Sequence, residues 1–240
     1  MTQEDARGKL IVALDMADLG KVDDLARELA PFVGVFKIGP ALLFARGTGI
    51  IERLKKLGRK LFIDFKFYDI PETVSGICRE ASRLGVDFVT LHTAGGVRMM
   101  EAARKAVSAG PSGERMKLLG VTVLTSFNQE QLAREWKLAE PIEERVMALA
   151  GLAREAGMDG VVCSPLELGR IRRVLGEGMV TVVPGIRSAQ DSRGDQARTL
   201  SPAQAVAAGA DYIVVGRPIM ASPSPAKAAE RILMEMAQVS

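Results

Sequence analysis

Histidine and cysteine are almost absent from this sequence, with one His and two Cys in 240 residues. Cys78 and Cys163 are too few for a disulfide framework and lack metal-ligand spacing, so both are expected as reduced, buried thiols. With His92 alone, a histidine-rich metal site is excluded, and a Ser-His-Asp scheme would need this one residue as its base. No Ser or Cys beside it sits in a nucleophile-like turn, which points to a hydrogen-bonded structural role for His92. Aromatics are scarce too. Trp136 and the Met residues read as packing material, with no stacking platform implied. Charge of one sign is also missing. The balance of 32 basic against 29 acidic residues leaves +3, and no basic run exceeds a pair, which excludes a nucleic-acid footprint. No apolar stretch is long enough to cross a bilayer, and Met1 to Lys9 carries acidic residues before a short apolar run, unlike a secretory signal. A cytoplasmic location is expected.

What is present is 48% hydrophobic and 25% charged content, enough for one globular domain over residues 1–240 with a sizeable core. Strand-like runs are Leu10 to Leu14, Val35 to Ile38, Leu61 to Phe65, Asp87 to Leu91, Leu118 to Leu124, Gly160 to Cys163, Val180 to Val183 and Tyr212 to Val215. Helical patterns lie between them: Lys21 to Ala30, Ile50 to Leu57, Val74 to Leu84, Arg98 to Ser108, Ile142 to Ala156, Leu166 to Leu175, Ser201 to Ala208 and Pro225 to Ala237. Near-continuous apolar strands alternating with helices indicate a parallel sheet, and eight such units indicate a closed (β/α)8 TIM barrel. An open doubly wound sheet is the runner-up. Against it, no Gly-x-Gly-x-x-Gly follows the first strand, where Asp15-Met16-Ala17-Asp18-Leu19-Gly20 is a plain turn into a helix.

The ends of the first three strands carry Asp15, Lys37, and the pair Asp64 and Lys66. Side chains alternate faces along a strand, so Asp64 and Lys66 point the same way, roughly 6.6 Å apart along the chain. A single pair of this kind is ordinarily a nearly neutral surface ion pair. Charges delivered repeatedly to one rim argue instead for a site, because charged residues are seldom buried unless paired. Pro71 then suits the first turn of a helix, with Glu72 and Thr73 in the same turn, so the cluster lies at a strand-to-helix corner. The longest irregular stretch, Pro184 to Thr199, follows the seventh strand and reads as a binding loop. Barrels commonly hold phosphate between the loops after strands seven and eight, where Gly216 allows close backbone approach and Arg217 offers two parallel hydrogen bonds.

The segment Asp64-x-Lys66-x-x-Asp69-Ile-Pro-x-Thr73, with Asp15 and Lys37 upstream and Pro184-Gly185-Ile186-Arg187 and Gly216-Arg217-Pro218 downstream, resembles the orotidine 5′-phosphate decarboxylase family over essentially the whole chain. The resemblance implies loss of carbon dioxide from orotidine 5′-phosphate to give UMP, the last step of UMP synthesis, through a vinyl-type carbanion and with no cofactor or metal. It also implies roles. Lys66 is the proton donor, Asp64 lies beside the scissile carboxylate, Lys37 links Asp64 to the ribose hydroxyls, and Asp15 binds the ribose. Asp69 and Thr73 correspond to residues that reach the neighbouring site of a homodimer. Thr125 corresponds to a position near the pyrimidine, for which Ser126 is a fair substitute. Arg187, Gln196, Gly216 and Arg217 match the loops after strands seven and eight, with Gln196 and Arg217 at the phosphate.

The chemistry stands on its own terms as well. A Lys with carboxylates on both sides stays cationic and is a proton donor, and a poor Schiff-base nucleophile. Carboxylates repel a substrate carboxylate, while the ammonium neutralises the carbanion left when carbon dioxide departs. The rival within the same motif is the sugar-phosphate branch, the keto-gulonate phosphate decarboxylases and hexulose phosphate synthases, which use magnesium. Their second strand ends in a glutamate that helps hold the metal, and here that position is Lys37, a cation. A non-catalytic nucleotide-phosphate binding protein on the same barrel would keep Arg217 but has no need of a Lys between carboxylates.

Overall fold

The computed structural model describes residues 1–15, 19–107, 115–188 and 199–239. Its strands are β1 (Leu10–Ala13), β2 (Val35–Ile38), β3 (Lys60–Phe67), β4 (Phe88–His92), β5 (Lys117–Val121), β6 (Gly160–Val162), β7 (Val180–Val183) and β8 (Tyr212–Val215). All pair in parallel with their sequence neighbours, and β8 returns to β1, so the sheet closes. This is the (β/α)8 barrel, and the open sheet is set aside.

The period-2 alternation of the strands divides the core into two layers. Ile11, Ala13, Phe62, Phe88, Leu119, Val182 and Val214 point inward and fill the barrel, with Phe62, Phe88 and Tyr212 stacking edge to face and tilted near its base. Leu10, Val12, Ile63, Val89, Leu118, Val161 and Ile213 point outward and pack under the helices. Those helices are α1 (Gln3–Lys9), α2 (Val22–Leu29), α3 (Pro40–Arg46), α4 (Gly49–Lys55), α5 (Pro71–Arg83), α6 (Gly96–Ala106), α7 (Gln129–Glu135), α8 (Ile142–Glu155), α9 (Leu168–Leu175), α10 (Pro202–Ala207), α11 (Arg217–Met220) and α12 (Pro225–Ala237).

The eight periodic helices are all present, and α1, α3, α7 and α11 are additions that periodicity does not predict. Each spans two turns or fewer, and end chemistry defines α1 and α7. Thr2 with Asp5 and Asn128 with Gln131 form reciprocal capping boxes at the starts of α1 and α7. Two strands differ from expectation at their ends. β5 ends at Val121, short of the expected Leu124, and the next residue, Thr122, donates its hydroxyl to the Val162 carbonyl at 3.3 Å. β3 runs on to Phe67 through a bulge.

At the N-terminal rim one device recurs three times. Gly85-Val86-Asp87, Gly157-Met158-Asp159 and Gly209-Ala210-Asp211 each precede an even-numbered strand, with the glycine at a positive φ of 73°, 70° and 94° respectively. Each aspartate accepts the N–H at the start of the preceding odd strand: Leu61 at 2.7 Å, Leu118 at 2.8 Å and Thr181 at 2.7 Å. Each also accepts a cation from a helix, namely Lys55 of α4, Arg104 of α6 and Arg172 of α9. These pairs fasten helix to strand at the N-terminal end of the barrel.

Candidate active site

At the opposite rim the charges face a cavity of about 430 Å³, lined by residues from β1, β2, β3 and β5–β8 and the loops beyond them. Asp15 lies just past β1, Lys37 in β2, and Asp64 and Lys66 in β3, and all four line it. Lys37 Nζ stands 3.1 Å from Asp15 Oδ2 and 3.2 Å from Asp64 Oδ2, while Lys66 Nζ stands 2.9 Å from Asp64 Oδ1. The result is a row of alternating sign. Its centre is buried, with Lys37 and Asp64 side chains 9% and 14% exposed, and its ends open outward at Asp15 and Lys66, 58% and 35% exposed.

Burial alone would push the Asp64 carboxyl up, but the Lys37 and Lys66 ammonium groups and the hydrogen bonds from Lys66 and Thr90 hold it below the ordinary carboxylate range. Burial likewise opposes the Lys37 charge, and Asp64 and Asp15 overcome it, raising that ammonium above the ordinary lysine value. Among the described residues the lysine between two carboxylates is therefore Lys37, where the spacing had suggested Lys66, and Lys66 pairs there with Asp64.

The strand-to-helix corner departs from plain strand geometry. Ile63 pairs with Val89 and Phe67 with Leu91, so β3 carries two residues more than β4 between those rungs. Within the bulge Lys66 has φ 51°, a left-handed conformation that costs a non-glycine residue about 1 kcal/mol or more. Its N–H reaches the Thr90 hydroxyl at 2.9 Å, and that hydroxyl reaches Asp64 Oδ1 at 3.0 Å. Sequence reasoning missed Thr90. The available signal was a polar side chain on the inward register of a strand that is otherwise apolar up to His92.

Thr125, Arg187, Gly216 and Arg217 also line the cavity, whereas Ser126 does not. Arg187 donates to the Ile186 carbonyl at 2.7 Å, and its backbone N–H bonds Leu200 O at 3.0 Å, so the two ends of the long loop after β7 are joined. Gln196 and residues 189–198 around it lie outside the described residues. Asp69 and Thr73 are not in the cavity. Both are exposed, Asp69 accepting the Ile70 N–H at 2.6 Å, and Thr73 in the first turn of α5 behind Pro71. The exposed side chains of Tyr68 and Ile70 flank Asp69 in sequence. The remaining wall is apolar and was not anticipated: Val121, Val123, Leu124, Val162, Val182 and Val214 face the charged row.

His92 is half-buried and outside the cavity wall. It packs edge-on against Tyr68 with ring centroids 6.1 Å apart, and among the described residues this aromatic contact stands where a hydrogen bond was expected. Burial first, and the Lys66 ammonium second, hold its pKa below the ordinary value, so it is neutral at physiological pH. Cys78 and Cys163 are free and buried, with burial raising the Cys78 thiol to about 12. Among the described residues no three of His, Cys, Asp and Glu cluster as metal ligands, and no helix is long and apolar enough to cross a membrane.

Comparison with known proteins gives a consistent result. The model of the orotidine 5′-phosphate decarboxylase / HUMPS family matches residues 8–232. The chain is 44% identical to an orotidine 5′-phosphate decarboxylase of Moorella thermoacetica, across 100% of this chain and 96% of that one. It is 46% identical to the Geobacter sulfurreducens protein of the same name, across 98% and 99%. A crystal structure of the Lactobacillus acidophilus orotidine 5′-phosphate decarboxylase superposes with a TM-score of 0.83 at 35% identity, covering 95% of this chain and 98% of that one.

Proposed function

The chain belongs to the orotidine 5′-phosphate decarboxylase / HUMPS family and converts orotidine 5′-phosphate to UMP and carbon dioxide, a step of pyrimidine biosynthesis; we propose that it does so without a cofactor, with Lys66 as proton donor. The observation that carries this choice is the unequal state of the two lysines. Lys37 is buried and committed to carboxylates on both sides, while Lys66 is the more open of the pair and holds a single carboxylate at 2.9 Å. An ammonium that faces the cavity with one carboxylate partner among the described residues is the one able to turn to a substrate.

In the proposed reaction the bond between the pyrimidine carbon and its carboxylate breaks, the electron pair stays on the ring carbon, and carbon dioxide leaves. The Lys66 ammonium stabilises the developing carbanion and then gives it a proton, and the resulting amine is reprotonated from solvent. Asp64 stands beside the scissile carboxylate and fixes Lys66, Lys37 orders Asp64 against Asp15, and Asp15 with Lys37 binds the ribose. Thr125 faces the pyrimidine. Arg187, Gln196, Gly216 and Arg217 form the phosphate end, binding energy there helping to organise the reacting end.

The family model spans sugar-phosphate enzymes as well, and Lys37 supports the metal-free branch. Its ammonium is hydrogen-bonded to Asp15 at 3.1 Å and ion-paired to Asp64 at 3.2 Å, so a cation of the protein itself fills the position between carboxylates that a metal would need. The active unit in this proposal is a homodimer of single-domain barrels in the cytoplasm, with Asp69 and Thr73 completing the neighbour's site. The exposure of Asp69 beside exposed Tyr68 and Ile70 supports that part.

The test is to follow ultraviolet absorbance as purified protein acts on orotidine 5′-phosphate, with and without EDTA. Equal conversion to UMP in both is expected. Absence of conversion sinks the reading, and loss on chelation restored by magnesium moves the protein to the sugar-phosphate branch.

A further inference from the structure

We infer that Thr90 is a positioning residue for this reaction, its single hydroxyl setting both the backbone of Lys66 and the carboxylate of Asp64. The inference rests on the decarboxylation proposed above. Thr90 is wholly buried in β4, on the inward register. The bulge in β3 takes the Lys66 N–H out of the regular ladder, since two more residues lie on β3 than on β4 between the Ile63 and Phe67 rungs. A buried N–H left without an acceptor is costly, and Thr90 Oγ1 supplies one at 2.9 Å. That N–H can only donate, so the hydroxyl must accept it. An ionised Asp64 can only accept, so the hydroxyl proton points to Asp64 Oδ1, 3.0 Å away. The orientation of the hydroxyl is therefore fixed from both sides.

Two consequences follow for the site. Asp64 Oδ1 takes the Thr90 hydroxyl and Lys66 Nζ together, and Oδ2 takes Lys37, so the plane of the carboxylate is determined by three donors from three strands. The left-handed turn at Lys66, with φ 51°, is held by the same hydroxyl that orients its ion-pair partner. Thr90 is not on the cavity wall and touches no substrate position, so its effect passes through Asp64 and Lys66. A threonine supplies the two hydrogen bonds while keeping the β-branched shape of the strand.

The test compares Thr90→Val, which keeps the shape and loses the hydroxyl, with Thr90→Ser, which keeps the hydroxyl, in steady-state assays on orotidine 5′-phosphate. Thr90→Val is expected to lower kcat about 10- to 100-fold with KM changed by less than about threefold, and Thr90→Ser to stay within about threefold of wild type. The acid limb of kcat/KM supplies a readout that a packing role would not move. Asp64 is faced by Lys37 from β2, Lys66 on its own strand, and Thr90 and His92 from β4; removing the Thr90 hydrogen bond shifts the limb toward higher pH in Thr90→Val and not in Thr90→Ser. If Thr90→Val does not fold, Thr90→Cys, with a similar side-chain size and a weak donor, is judged by the same criteria. A hydroxyl-free variant with wild-type kcat, or a serine variant as impaired as valine, overturns the role of Thr90 while leaving the decarboxylation intact. A wild-type protein inactive on orotidine 5′-phosphate overturns both.

Discussion

At the N-terminal rim Asp87, Asp159 and Asp211 each bind a strand N–H and a helix cation, whereas at the C-terminal rim Asp64 binds Lys37, Lys66 and Thr90 through side chains alone among the described residues. The same residue types thus do different work at the two ends. A carboxylate tied to backbone is part of the scaffold and cannot move without the strand. One tied to side chains around a cavity keeps its charge directed at whatever enters. The lower rim follows local rules, with glycine in the left-handed region and each cation from an adjacent helix. The upper rim breaks them, placing a lysine at φ 51° and burying two charges.

The comparison can be broken from either end. Asp64→Asn should lower kcat about 10²- to 10⁴-fold because it removes a charge fixed for the reaction, with little change in the unfolding midpoint because Asn keeps the side-chain shape and the Lys37 ammonium keeps Asp15 at 3.1 Å. Steady-state kinetics and denaturant unfolding on the same preparation check this. Arg217→Ala should weaken kcat/KM for orotidine 5′-phosphate about 100-fold and hardly affect the bare nucleoside, since only the former carries the phosphate. Equal losses on both substrates would make Arg217 structural.

The upper rim is also incomplete within one chain if Asp69 serves the neighbour. Lys66→Ala and Asp69→Asn homodimers should each be impaired, and unfolding and reassociating equal amounts should restore about one quarter of native sites, given free exchange across a two-fold interface. No recovery after demonstrated exchange places Asp69 elsewhere. Finally, Asp211→Ala should leave kcat of the folded protein unchanged and destabilise by about 2–3 kcal/mol. It removes the nearer carboxylate of the Arg172 guanidinium, whose side chain is 9% exposed and which keeps the Gly209 and Met179 carbonyls, and it leaves the Thr181 N–H without its acceptor. In a protein of this size that is roughly a 5–10 °C fall in the melting temperature, measurable by calorimetry.

Much of this contrast was legible in the sequence. Eight apolar runs alternating with helical periods predict the barrel, and Asp15, Lys37, Asp64 and Lys66 are readable because each closes a strand. What periodicity could not supply is anything set by a partner distant in sequence. Gly-x-Asp recurs visibly at Gly85, Gly157 and Gly209, yet which N–H each aspartate meets depends on strand packing 26 to 41 residues away. Thr90 looks like one β-former among others in Phe-Val-Thr-Leu-His, because the bulge opposite it comes from a different strand. Asp69 and Thr73 were legible only by resemblance, since within the chain both face outward.

The central claim is that Lys66 is held in an unfavourable conformation for chemistry and not for the fold, and Lys66→Gly tests it most directly. Glycine is at ease at φ 51°, and the relief of about 1–2 kcal/mol offsets the loss of one partly exposed ion pair. Turnover of orotidine 5′-phosphate should therefore fall at least about 10³-fold while the unfolding free energy stays within about 1 kcal/mol of wild type. Near-native turnover, or loss of the fold along with the activity, would contradict the account.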